Sequence, residues 1–575
     1  MTSHRDGYVA LSTSVDDEDN PLATEHSQFS DAGNPSNFNE GSRGGGFSVS
    51  ADGSSYSYWY GPKGLAGLLH NQYTLGCAAF ASIGGLTFGY DQGVIANVLV
   101  MKDFTERWPI GPWEVGLMTA ILELGALIGA LMAGVLADRY SRRHSIFLAC
   151  VIFCVGSGFQ CGAQSLVDIF IGRAIGGVGI GSLSMLSPLY MAEISPPEVR
   201  GSLMAMEQLA IVLGVVLGFW AGFFTRSITG SASWRIPLAI QIGPGLILAF
   251  GCLLLPPSPR LLILQGKFDE ALRSLARLRL RDSSEQQSDP LLQLEFLEIR
   301  VEAKLIQQTK AETDDRNGLS TELRSWTRLF SSKYIDRTLI GIAVMFFQQW
   351  SGINALLYYG PTLMYSLGLR GDTITLLGSG GVGIVQFLAV LPAILYIDRL
   401  GRKPLLEGGG IVMGLSHFCI AVLVWFYQDS WESHHFAAWL AVGFVYLFTA
   451  AYGMSFGPVG WILPSEVLPL SVRGKGVSVA TASNWINNFF VALIVPRFLA
   501  ASATGTLLIF SAACFAASLW SRIFVPETAN VSLEEIDNLF KSDVGKDDAE
   551  LKQEIMKQVG LDRLLRELSA DVGSD

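Results

Sequence analysis

Three amides and two charges set in apolar surroundings carry the chemistry of this sequence. Gln348, Gln349 and Asn354 stand at i, i+1 and i+6 of one apolar run. On a helix Gln348 and Asn354 then fall about 120° apart in rotation, with Gln349 beside Gln348, so the three can border one cavity. An amide donates and accepts hydrogen bonds at once, which suits a solute presenting a ring of hydroxyls. A lone amide would read as interhelical glue, whereas the set reads as a binding surface. Asp91 and Arg173 each interrupt an apolar run. Such a charge costs at least about 2.5–3.5 kcal/mol on insertion scales unless it finds a partner. The two are expected to pair. A carboxylate that alternately meets and loses an arginine can take up and release a proton, which would make Asp91 a proton carrier; a static pair is the alternative.

Other polar residues have plainer readings. Glu123 and Glu207 are further acids in apolar runs; Glu207, next to Gln208, belongs either to a cavity wall or to a helix contact. His417 reads as a satisfied core residue. The glycines at 172, 176, 177, 179 and 181 are not a phosphate loop, since no strand precedes them and no Lys-Ser/Thr follows; they suit close helix packing. The seven cysteines lie in apolar runs without metal-ligand spacing. No metal cluster, nucleophile elbow or pair of catalytic carboxylates is visible, so neither a cofactor nor an enzyme is expected.

The elements that must position these residues are membrane spans. Half of the 575 residues are hydrophobic and only 16% are charged, against about 25% in soluble domains. The apolar residues are blocked into twelve windows near 75–98, 115–137, 145–163, 166–190, 203–225, 234–256, 338–368, 374–397, 404–427, 437–463, 476–500 and 503–525. Each approaches the roughly 20 residues that a helix needs to cross a bilayer, and several are joined by very short loops that only helices allow. The expected organisation is a polar N-terminal tail over 1–70, a first bundle over 71–256, a partly helical linker over 257–337, a second bundle over 338–526 and a tail over 527–575. The net charge of −11 gathers in the tails, which carry too little apolar periodicity for a large core of their own. Lys and Arg concentrate in alternate short loops, notably at Arg142, Arg200, Arg402 and Arg473, which places both termini and the linker in the cytoplasm. No signal peptide opens the chain, so the first span is expected to act as its own insertion signal.

An internal repeat orders these charges. Asp138 with Arg142 recurs as Asp398 with Arg402, and Glu193 seven residues before Arg200 recurs as Glu466 seven residues before Arg473. Two homologous six-helix halves joined by a charged linker is the plan of a carrier that rocks its halves about a midplane site. The repeated charges are expected to form rims whose salt bridges close an inner gate.

With these motifs in place, the chain resembles the sugar porter family of the major facilitator superfamily, in a branch like that of fungal sugar transporters, over roughly residues 75–530. The resemblance rests on Gly89-Tyr90-Asp91, Gly172-Arg173, Pro188 to Glu193, Trp234-Arg235-Ile236-Pro237, Pro256 to Arg260, Gln348 to Asn354 with Tyr358-Tyr359, Gly457 to Trp461 and Pro526-Glu527-Thr528. Ser141, Pro257 and Ala529-Asn530 depart from the family pattern. The resemblance implies an all-α membrane protein with the major facilitator fold, twelve transmembrane helices in two six-helix bundles. It further implies that Gln208, Trp461 and Asn488 join Gln348, Gln349 and Asn354 around the cavity. The implied activity is transport of a monosaccharide, hexose or pentose, or a related polyol by alternating access with a proton, in a cell-membrane protein acting as a monomer without nucleic acid. A facilitative uniporter and a non-transporting nutrient receptor on the same fold are the alternatives.

Overall fold

The computed structural model describes residues 45–49, 56–62, 65–139, 141–281, 289–311, 326–367, 372–428, 430–468, 472–528 and 544–572. Among them eleven helices are long and apolar enough to cross a membrane. Spans two to six are Pro112–Leu136, Arg142–Gly162, Leu166–Ile194, Pro197–Thr225 and Ala232–Leu254. Spans seven to twelve are Ile335–Ser366, Gly378–Ile397, Arg402–Tyr427, His435–Val467, Arg473–Ala501 and Ala503–Phe524. The first expected span is also present, divided into Gln72–Ala81 and Ile83–Val98. The Ser82 hydroxyl at the division donates to the Ala79 carbonyl, and such back-bonding bends a helix.

Span six is likewise divided, into Ala232–Ile240 and Ile242–Gly251, and spans seven and ten are broken by non-helical backbone where single helices are expected. Span seven consists of Ile335–Trp350 and Ile353–Ser366, separated by Gly352 at φ 92°, a left-handed conformation open to glycine at little cost. Span ten changes direction at Ser455, with φ −122° and ψ −93°. These breaks place backbone carbonyls and amide side chains at mid-span, the arrangement that lets a membrane helix border a polar cavity.

Glycine sets the helix packing inside the first bundle. A Cβ at Gly177 or Gly181 on span four would strike the carbonyls of Leu122 and Ala126 on span two, while Gly125 and Gly129 face Ala174 and Val178 in return. Gly89 and Gly93 on span one likewise meet Ile211 and Val215 on span five. Four-residue spacing of small residues on facing helices brings the backbones together.

Span two also runs along span eleven, across the divide between bundles. A Cβ at Gly116 would lie 2.6 Å from the Leu493 carbonyl, and one at Gly134 would lie 2.9 Å from Ser478 Oγ. Between these ends Ser478 donates to the Ala130 carbonyl at 3.1 Å and the Trp485 indole donates to Ser184 at 3.2 Å. The bundles therefore touch on both sides of their midplane.

The polar segments are not independent tails. Strands β1, Gly46–Val49, and β2, Tyr56–Trp59, form an antiparallel hairpin. It packs on the linker helix Pro290–Ala311 together with two C-terminal helices, Val544–Val559 and Leu561–Val572. Phe47, Leu294, Val301, Leu305, Ile555 and Leu561 are their shared buried core. Each segment offers only a stripe of apolar residues, so no core is visible until the three are brought together. The Tyr56 and Tyr58 hydroxyls donate to the two oxygens of Glu298 at 2.7 and 2.6 Å. Burial pushes the Glu298 carboxyl up to about 7, with Glu302 and Glu295 adding to the rise and the tyrosine hydroxyls opposing it. The Tyr60 amide donates to Glu198, and Arg279, paired with Glu295, donates to the carbonyls of Ile194 and Ser195. The layer is thereby fastened to the linker-side end of the first bundle.

Candidate binding cavity and charge pair

The two broken helices and span five border a partly open cavity between the bundles. Gln208, Gln348, Gln349, Asn354 and Trp461 all line it, as the sequence leads one to expect. Asn354 donates to the Gln349 carbonyl oxygen at 2.6 Å, which leaves the Gln349 amide nitrogen and the Asn354 oxygen for a ligand. Gln208 has no hydrogen-bond partner among the described residues. Gln348 differs: its nitrogen donates to the carbonyls of Phe456 and Gly457 at the break of span ten, and its oxygen accepts from Asn484 at 2.6 Å. It holds the broken helix in place as well as facing the cavity.

Asn488 is absent from the lining; its amide donates to the Tyr358 hydroxyl at 2.9 Å. One turn earlier on span eleven, Asn484 takes the place expected of it. Gln92, Gln386 and Tyr452 are further lining residues that sequence reasoning missed. Gln92 directly follows Asp91 and is itself a polar residue in an apolar run, a signal available in the sequence. Phe88, Leu357 and Trp461 supply the apolar faces. Uncommitted amides beside aromatic surface can bind hydroxyls and the C–H face of a ring together.

Asp91 and Arg173 meet as expected, with oxygen and nitrogen 3.5 Å apart and each side chain 1% exposed. Arg173 Nε donates to the Met118 carbonyl at 2.7 Å, so span two helps to aim it. Neither Asp91 oxygen has a hydrogen-bond partner, and Arg173 Nη1 is likewise without one. The pair lies one residue from the cavity through Gln92. A buried pair held by so few bonds can exchange its ionic contact for a proton on the carboxylate at modest geometric cost.

The rim residues need a correction. Glu193 pairs with Arg142 at 2.9 Å and Glu466 with Arg402 at 2.8 Å. Glu193 makes no ion pair with Arg200, the arginine seven residues after it, among the described residues. Arg142 and Arg402 open spans three and nine, beside the ends of spans four and ten in the same bundle, and therefore reach the glutamates first. Arg200 Nε has no hydrogen-bond partner, and Arg473 Nε donates to the Leu468 carbonyl at 3.1 Å. The Asp138 and Asp398 side chains lie outside the described residues. In the second half Glu527 accepts the backbone amides of Arg402 and Lys403 at 2.9 and 3.0 Å, while Thr528 donates to Glu466 at 2.6 Å. An anion at a helix N-terminus is favourably placed, and here it fixes the loop between spans eight and nine. The described rim ion pairs thus tie spans within a bundle.

A family model described as "Sugar (and other) transporter" matches residues 77–540. The chain belongs to this family. Among its relatives is the D-xylose transporter of Levilactobacillus brevis, 32% identical over 82% of this chain and 97% of that one. Another, the MFS glucose transporter mfs1 of Aspergillus flavus, is 31% identical over 82% of this chain and 90% of its own length. Among solved structures, the E. coli proton:xylose symporter XylE bound to 6-bromo-6-deoxy-D-glucose superposes with a TM-score of 0.68. It is 28% identical and covers 82% of this chain and 99% of its own. This member of the sugar transporter family therefore has the major facilitator fold, and is a multi-pass membrane protein.

Proposed function

We propose that the protein carries a monosaccharide, hexose or pentose, or a related polyol across the cell membrane together with a proton, by alternating access. The observation that carries this reading is the juxtaposition of an amide-lined cavity between two bundles with the Asp91–Arg173 pair one residue away. Gln208, Gln349, Asn354 and Trp461 bind the ring, Gln348 supports the cavity, and Asn488 acts through Tyr358. Asp91 takes the proton when Arg173 releases it. The bundles, 71–256 and 338–526, rock about the cavity while Arg142–Glu193 and Arg402–Glu466 keep each inner end rigid. Asp138, Asp398, Arg200 and Arg473 complete the charged inner rim. The charge bias of the loops puts the linker and both termini in the cytoplasm, and each monomer contains a complete pathway. The names and folds of the relatives support a sugar as the solute and a proton as the driving ion.

The test is uptake of D-xylose and D-glucose into liposomes that contain the purified protein, with the outside made acidic. Accumulation above the outside concentration, accompanied by proton influx on adding sugar, is the expected result. Equilibration without proton influx would make the protein a uniporter. Binding without any movement of sugar would make it a receptor.

A further inference from the structure

The Tyr358 hydroxyl joins four helices and both bundles. It accepts the amides of Gln92 on span one at 3.0 Å and Asn488 on span eleven at 2.9 Å, and it donates to Glu123 Oε1 on span two at 2.7 Å. A phenol has one proton and two acceptor sites, so all three are in use. With both acceptor sites filled by amides, the proton has a single destination, the Glu123 carboxylate. Glu123 is 0% exposed and its other oxygen has no hydrogen-bond partner. An acid in that setting is costly to keep in a membrane span, yet the cavity does not contact it.

Tyr358 belongs to the half-helix Ile353–Ser366, whose first turns are bounded on each side by non-helical backbone. The left-handed Gly352 starts it, and Tyr359 leaves helical geometry at φ −116° and ψ 20°. Leu357, Ile353 and Asn354 on this half-helix line the cavity. In the proposed orientation it covers the cavity from the extracellular side. Glu123 is five residues beyond Met118, which receives Arg173, and it lies within electrostatic reach of Arg173 and Asp91.

We propose that Glu123 is a positioning residue for transport: its carboxylate holds Tyr358, and with it the Ile353–Ser366 half of span seven, against the first bundle whenever the outer side of the cavity is closed. The bond forms and breaks once in each cycle, between two elements that rocking must separate. It places the closure of the half-helix beside the charge pair, so that a rearrangement of Arg173 acts on the same span that anchors the gate. This inference rests on the carrier function and orientation proposed above, and does not require proton coupling.

The experiment is hydrogen exchange of residues 353–366 in the purified full-length protein, with D-xylose and D-glucose uptake measured on the same variants. Glu123→Leu and Tyr358→Phe should each speed exchange of that segment by about tenfold, as expected when a buried hydrogen bond that closes a local opening is lost. Combined, they should add little to either alone. Glu123→Gln, whose carbonyl oxygen still accepts, should recover most of the protection. Exchange of Arg142–Gly162 should stay unchanged, and uptake should lose kcat while KM holds. Unchanged exchange of 353–366 in Glu123→Leu, additive effects, or a rise spread equally over both segments would overturn the proposal. If the wild type moves neither sugar, the carrier function fails, and the exchange measurements still decide whether Glu123 holds the half-helix.

Discussion

Glu193 accepts the guanidinium of Arg142 at 2.9 Å, linking the end of span four to the start of span three. The pair is well buried, and removing one partner of such a pair typically costs about 3–5 kcal/mol because the other charge stays behind. Arg142→Ala should therefore lower the melting temperature of the purified protein clearly, whereas Arg200→Ala should change it much less. Exchanging the two charges, as Arg142→Glu with Glu193→Arg, should restore part of the loss. Equal effects of Arg142→Ala and Arg200→Ala on melting would return Arg200 to the role of partner.

The cavity separates two kinds of amide. Gln349→Ala and Asn354→Ala should each weaken sugar binding by on the order of 1–3 kcal/mol through lost hydroxyl contacts, and leave thermal stability nearly intact. Gln348→Ala should do both, because it also releases the Phe456 and Gly457 carbonyls. Calorimetric titration with sugar, beside thermal melting of the same samples, checks the distinction. A Gln348→Ala protein as stable as the wild type would make Gln348 a ligand contact alone.

Asp91→Asn keeps the size and hydrogen-bonding capacity of the side chain and removes the titrating group. The variant should lose uphill accumulation and sugar-induced proton influx, yet still exchange labelled for unlabelled sugar across the membrane. One proton crossing about 100 mV supplies about 2.3 kcal/mol and each pH unit about 1.4, enough together for accumulation of a few hundredfold. A variant that still concentrates sugar with the gradient would reduce Asp91 to a structural partner of Arg173.

Glu298 gives the layer formed by the hairpin, the linker helix and the C-terminal helices a pH dependence. Burial raises its carboxyl from 4.5 to about 7, so the docked layer binds a proton more tightly than the undocked segments do. Docking should be firmest below about 4.5, weaken as pH rises through about 7, and level off above. Hydrogen exchange of the hairpin, corrected for its intrinsic pH dependence, should therefore quicken between pH 6 and pH 8 relative to pH 5. Glu298→Gln should flatten the profile; an equally steep profile in that variant would assign the titration to another group.

Much of the fold was legible because a bilayer restricts the choices: apolar blocks of span length had to be helices, and loop charges and the repeat divided them into two halves. The breaks at Ser82, Gly352 and Ser455 were not legible, since glycine and serine are common in membrane spans and a hydropathy window averages over them. The layer built from Phe47, Leu294 and Ile555 escaped because its apolar stripe is distributed over three distant segments. At the site, the amides of span seven carried their meaning in their spacing. Asn484 and Asn488 sit one turn apart with the same chemistry, and only packing shows that one lines the cavity and the other binds Tyr358. The partner of Glu193 was read from separation along the chain, whereas it is set by which helix ends lie side by side, those of spans three and four.

The contact of Gly116 and Gly134 with span eleven has a consequence for how the carrier moves. At Gly116 the backbone of span eleven lies opposite and at Gly134 the Ser478 side chain does; such uncharged close contacts are held mainly by dispersion, which falls away within an ångström or so of separation and is indifferent to salt. A seam of this kind favours two positions, seated or released, over a continuum between them. Interconversion of the two should therefore depend on temperature and on the size of the residue at Gly116 or Gly134, and barely on ionic strength. Adding a single methyl group at either glycine would wedge that end of the seam ajar, giving a way to hold the carrier open on a chosen side without touching a charge or a sugar ligand.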